Sequence, residues 1–178
     1  IIFSPLIKDP LVLVVGSTHP LAASGRIGMD ALFHQPLVMR ETGSGSGQSL
    51  DLALRLAGHN PEELTIAARL GSNEAVLQAV ASGYGGAFVS ELSVKSWKNA
   101  AELKRIEIDG LTVERKIWMA SARGRTFSPA AAAFRGRCAA ASPRRSGAPT
   151  PVACPPVRPS SATPHRCDTS DRSPPSLQ

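Results

Sequence analysis

The sequence predicts an α/β fold with parallel strand pairing at its centre, and three observations predict it. Short apolar runs without alternation recur at residues 11–15, 36–39 and 87–89, the pattern of strands buried on both faces. Two segments between the later runs carry apolar residues at helical spacing: Leu50, Ala53, Leu54 and Ala57 in one, Val76, Leu77, Val80 and Ala81 in the other. Gly-rich turns separate these pieces, so the order strand–helix–strand–helix–strand implies right-handed crossovers and parallel pairing.

In chain order, the first strand is the β-branched-rich run at 11–15, closed by Gly16. His19 and Pro20 then turn the chain into a polar stretch, and residues 30–33 allow one helical turn. The run at 36–39 breaks at Arg40, Glu41 and Thr42 into Gly43-Ser44-Gly45-Ser46-Gly47, and a helix follows over 48–57. Gly58 and Pro61 stop that helix. Residues 64–69 form the next strand. Ser72 is a candidate N-cap for the second helix, Glu74 complements its dipole and Gly83 ends it. Gly85 and Gly86 lead into the strand at 87–89. Leu103–Ile108 alternates as a half-exposed strand, Asp109 and Gly110 turn it, and 113–120 reads as another strand. Ser128 and Pro129 start an Ala-rich helix over 130–134.

At 178 residues the chain holds one ordinary domain or two small lobes. Residues 1–135 carry 14 Lys/Arg against 12 Asp/Glu, a net charge of +2, whereas 136–178 carry 6 Arg against 2 Asp, a net of +4. Nine of the 15 prolines and all three cysteines also lie after residue 135. The segment 136–178 therefore has a disordered composition, and the basic balance is no nucleic-acid footprint on the folded part. Cys138, Cys154 and Cys167 match no zinc or redox spacing. No run of 18 apolar residues is present, so no membrane-spanning helix is expected. The chain starts at Ile1 without a signal-peptide pattern and is expected to be a fragment of a longer protein.

The Gly/Ser loop at 43–47 is the one motif that points to chemistry. A strand passing through a Gly/Ser loop into a helix collects backbone N–H groups at the positive end of the helix dipole, an arrangement that favours a small anion or carboxylate. No Lys-Ser/Thr follows the glycines, Gln48 replaces the third Gly of a dinucleotide loop, and Gly45 stands at the nucleophile position of a hydrolase elbow. Nucleotide binding and serine hydrolysis thus lose their support. Ser72 and Asn73 read as a helix cap. His19, His34, His59 and His165 lie far apart, Glu62 and Glu63 sit in a solvated turn, and no nucleophile–base–orienter set can be assembled. No enzyme activity, metal or cofactor is expected.

Taken in order, LVLVVGSTHPLA at 11–22, MDALFHQPLVMRETGSGSGQ at 29–48, LGSNEAVLQAVASGYGGAFVS at 70–90 and SPAAAAF at 128–134 resemble the effector-binding region of LysR-type transcriptional regulators. The resemblance covers about three quarters of the chain. It implies a type II periplasmic-binding-protein-like fold with one complete lobe, part of the other and a disordered C-terminal tail. The implied division is partial lobe I and hinge over 1–35, lobe II over 36–110, a return to lobe I over 111–135, and the Pro/Arg/Ser-rich tail over 136–178. The strand at 11–15 would belong to lobe I, which would leave it and the return strand short of sheet partners. By the same resemblance Thr42, Ser44, Gly45 and Ser46 would bind the carboxylate or similar anion of a small-molecule effector, and Phe88 would line the pocket. The family's winged helix-turn-helix has no counterpart in these residues, so DNA binding is expected only through a longer, cytoplasmic, homo-oligomeric parent. The alternative is a fragment of a periplasmic type II solute-binding protein, which would carry a signal peptide upstream instead. An enzyme with a phosphate-cradling loop is a third class, and it lacks a catalytic Lys, Asp or His near the loop.

Overall fold

The computed structural model describes residues 1–124 and 126–141. Along these residues the elements are β1 (Ile2–Lys8), β2 (Leu11–Gly16), β3 (Arg26–Ile27), α1 (Met29–Phe33), β4 (Leu37–Arg40), α2 (Gly45–Leu56), β5 (Ile66–Leu70), α3 (Asn73–Ala81), β6 (Ala87–Ser90), α4 (Glu91–Lys95), β7 (Leu103–Ile108), β8 (Lys116–Ser121) and α5 (Pro129–Ala141). No helix among the described residues is long and apolar enough to cross a membrane.

The apolar run of β2 is buried throughout, and its alternation feeds two separate layers. Leu11, Leu13 and Val15 pack on one face with Leu37, Met39, Phe88 and the α2 residues Leu50 and Leu54. Val12 and Val14 pack on the other with Val38, Val89 and the α3 residues Val76, Leu77 and Val80. Helices on both faces of one sheet explain why the strands read as continuous apolar runs rather than alternating ones.

Strand order is β3–β7–β2–β6, and a parallel bridge from Gly86 to Leu37 carries it on to β4 and β5. β4 and β5 pair in parallel, whereas β2 is antiparallel to both β6 and β7. At Gly85, φ is 134° and an added Cβ would lie 2.3 Å from the Pro36 carbonyl oxygen, so only glycine lets the two chains meet there. Apart from this sheet, β1 and β8 form an antiparallel two-stranded ribbon. Its continuation joins residues 9–11 to 113–115: Asp9 N donates to Arg115 O at 3.1 Å, and Leu11 N to Val113 O at 2.9 Å.

Several expectations change. The strand at 11–15 is not short of partners, because β6 and β7 flank it, and Ile27 and Leu32 join the same core. The core therefore also takes in residues 11–15, Ile27 and Leu32, ahead of the lobe drawn at 36–110. Residues 2–8, which carried no strand signal, form β1, and the return strand begins at Lys116 rather than 113. The helix after the Gly/Ser loop starts at Gly45, not at 48. The last helix runs to Ala141, past the boundary drawn at 135, because three consecutive alanines close it at 139–141 and alanine is the best helix former. The rest of the expected tail, 142–178, lies outside the described residues.

Candidate functional site

Three strands, β5, β4 and β6, end side by side, and each passes into a helix capped by a serine. Ser72 caps α3, accepting from Ala75 N at 3.1 Å, and Ser90 caps α4, accepting from Ser93 N at 3.3 Å. Ser44 caps α2, accepting from Gly47 N at 3.2 Å. A turn with Gly43 at φ 87° and a bond from Ser44 N to Glu41 O sets up that last cap. A Cβ on Gly47 would stand 3.2 Å from Ser44 Oγ, so glycine there spares the cap.

Arg40, at the end of β4, ties two of these turns together. It donates to Asn73 Oδ1 at 2.7 Å and Gly71 O at 3.2 Å and pairs with Glu41 at 2.8 Å. The Glu41 hydrogen bond raises the Arg40 pKa from its ordinary value and lowers that of Glu41.

The second cluster joins Asp9, Ser90 and Arg115 to Ser46 of α2. Asp9 is 1% exposed. Its Oδ1 accepts from Ser90 Oγ at 2.6 Å and more weakly from Leu92 N, and its Oδ2 accepts from both Nε and Nη2 of Arg115. Arg115 Nη1 donates to Ser46 Oγ at 3.0 Å. Burial pushes the Asp9 carboxyl up, but the hydrogen bonds from Ser90 and Arg115, the Arg115 charge and the Leu92 N–H outweigh it and hold the pKa below its ordinary value. The carboxylate is thus ionised and paired.

Beside this cluster lies a cleft of about 470 Å³ between α2 and the start of β8. Gly45, Gln48, Ser49 and Leu52 form one wall, and Arg115, Lys116 and Ile117 the other. It contains two cations, no carboxylate, and the first turn of α2, whose leading N–H groups have no partner within the helix. The arrangement can hold a small anion.

Of the residues singled out from the sequence, Gly45 lines this cleft, and Ser46 lies behind Arg115 with its Oγ bound. Ser44 spends its side-chain oxygen on the helix cap, and Thr42 is exposed in the preceding turn. Phe88 does not join them: it is 4% exposed in the core and lines a different cavity of about 250 Å³, beside Leu11, Leu13 and Ile106. Sequence reasoning missed Asp9, Arg115 and Lys116. One signal stood available, an Asp and a Pro immediately ahead of the fully apolar run, but nothing local marks a partner 106 positions away. Among the described residues no group of three or more His, Cys, Asp or Glu is placed to hold a metal ion.

A family model described as LysR substrate binding domain matches residues 1–143. An uncharacterized HTH-type transcriptional regulator of Methanocaldococcus jannaschii is 36% identical over 65% of this chain and 39% of its own length. The RuBisCO operon transcriptional regulator of Allochromatium vinosum is 33% identical over 71% of this chain and 41% of its own. The chain thus spans about two fifths of the length of these curated relatives. Among solved structures, the regulatory domain of Synechocystis PCC6803 CcmR in complex with 2-PG is similar at TM-score 0.68 and 29% identity, covering 78% of this chain and 65% of that one. The effector-binding domain of QuiR in complex with shikimate, at TM-score 0.63 and 24% identity, covers 77% and 63% and supports the fold alone.

Proposed function

From the premise that the chain belongs to the LysR substrate-binding domain family and is the effector-binding domain of a LysR-type regulator, we propose that its effector is a small anion held in the cleft between α2 and Arg115–Lys116–Ile117. The observation that carries the proposal is the lining: Lys116, the Asp9-paired Arg115 and a helix N-terminus converge on a cleft that no carboxylate lines. The relatives are transcriptional regulators, which removes the solute-transport alternative. The CcmR domain was solved with 2-PG, so 2-PG is the first ligand to try here.

In this account Gly45 presents its N–H to the anion and Ser44 keeps the helix start rigid. Ser46 anchors Arg115, Thr42 stands at the rim, and Phe88 supports the sheet from the core. In this reading the crossings between lobes are near residues 9–10 and 113–115, supported by the two chains running side by side there. An anion bound beside both crossings would favour one relative setting of the lobes, provided its affinity for two settings differs. The parent is a non-enzymatic, cytoplasmic homo-oligomer that contacts DNA through a winged helix-turn-helix outside this chain.

Calorimetric titration tests this. With 2-PG as titrant the chain should show saturable binding that weakens with added salt, and Lys116→Met should weaken it about threefold to fivefold, the worth of one exposed charge. No saturable binding of 2-PG, inorganic phosphate or acetate would sink the proposal.

A further inference from the structure

We infer that Arg115 is itself a ligand-contacting residue, a two-pronged donor for an oxyanion, and that the buried Asp9 is the positioning residue that aims it. The inference rests on the cleft being the effector site and adds which side chain recognises the ligand and how it is held.

An arginine carries five N–H donors in a planar fork. In Arg115 three are committed, Nε and one N–H of Nη2 to Asp9 Oδ2 and one N–H of Nη1 to Ser46 Oγ. One N–H on each terminal nitrogen has no acceptor among the described residues, while the side chain is 21% exposed and lines the cleft. A pair serving the fold alone would close its donors on protein, as buried polar groups do. Here two donors are left over on a side chain that lines a cavity.

The surroundings explain why the guanidinium is ready for a ligand. A long, mobile side chain loses rotamer freedom when it binds, which weakens binding. Asp9 removes that loss, because its carboxylate is buried and is itself fixed by Ser90 and the first turn of α4. Ser46 fixes the other side of the fork to the first turn of α2. Two donors on a rigid plane match an oxyanion with two accessible oxygens, a carboxylate or a phosphate group, and match a monatomic anion poorly. Since Asp9 already offsets the Arg115 charge, Arg115 contributes geometry and Lys116 the attraction. A ligand held by Arg115 also touches the crossing that carries it.

The test is nuclear magnetic resonance of the arginine side-chain N–H signals, with the Arg115 signals assigned through their own side-chain connectivities, during titration with 2-PG and separately with inorganic phosphate. The expected result is a saturable shift of the Arg115 signals in step with the Gly45 amide. Arg115→Lys, which keeps the charge and loses the fork, should cut affinity about tenfold for either probe and leave chloride affinity unchanged. If the Gly45 amide shifts while Arg115 stays still, the cleft binds the anion and the role given to Arg115 is wrong. If neither shifts, the cleft itself is not the site. Should Arg115→Lys fail to fold, the wild-type titration decides alone. Asp9→Asn keeps the shape of the acceptor and removes its charge, and it should lower the ratio of phosphate to chloride affinity. A lower melting temperature with that ratio unchanged would mean that Asp9 supports the fold only.

Discussion

Asp9 is the residue on which most depends, because four groups turn toward one buried carboxylate. Its pKa is lower in the folded chain than in the unfolded one. The unfolded state therefore takes up the proton first as pH falls, and stability rises with pH across that window. The Asp9 contribution is complete above the ordinary carboxylate value of about 4 and is lost as pH drops through the lower folded value. Urea unfolding at a series of pH values from 7 to about 3 should show this loss, and Asp9→Asn should remove that part of the slope while lowering stability at neutral pH by about 3 kcal/mol, since Arg115 loses its charged partner. An unchanged slope would mean that other carboxylates carry the acid sensitivity. None of this was legible in the sequence. Neither Asp9 nor Arg115 stood out, because an ion pair across 106 positions leaves no local pattern. Ser46 was picked out as a ligand donor, but its Oγ accepts from Arg115.

Among the elements, α2 shows how a local rule outranks composition. Glycine is a poor helix former, yet Gly45 and Gly47 lie in the first turn because Ser44 adopts the extended conformation of a cap and takes up the Gly47 N–H. Ser44→Ala should lower stability by about 1 kcal/mol and blunt anion binding by fraying the turn that presents Gly45. A denaturation midpoint equal to that of the wild type would contradict the cap. The cap of α3 at Ser72 was legible because serine, a following acidic residue and an apolar stripe coincide. β1 was not, since Pro5 interrupts its ladder, where the register shifts, and proline argues against a strand. The far end of α5 was hidden for a different reason: averaging over 136–178 let prolines beyond 142 mask a run of alanines.

Across the whole molecule the parallel unit of β4, β5 and β6 was readable from helix-separated apolar runs. The insertion of β2 and β7 beside it was not, because antiparallel partners distant in sequence have no signature in either strand. That pairing gives the complete core to residues from about 9 to 113, with β1 and β8 outside it as a ribbon exposing Ile2, Phe3, Ile7, Ile117 and Trp118. Hydrogen exchange should accordingly find the slowest amides in β2, β4 and β6 and fast exchange along β1 and β8, whose residues are mostly exposed. Equal protection of ribbon and core would refute that division. The most direct check on the central claim is an amide chemical-shift titration of the chain with 2-PG. Saturable shifts are expected at Gly45, Ser46, Lys116 and Ile117, with little change at Leu13, Phe88 and Ile106. Shifts confined to those last three, around the other cavity, or no shifts at all, would contradict it.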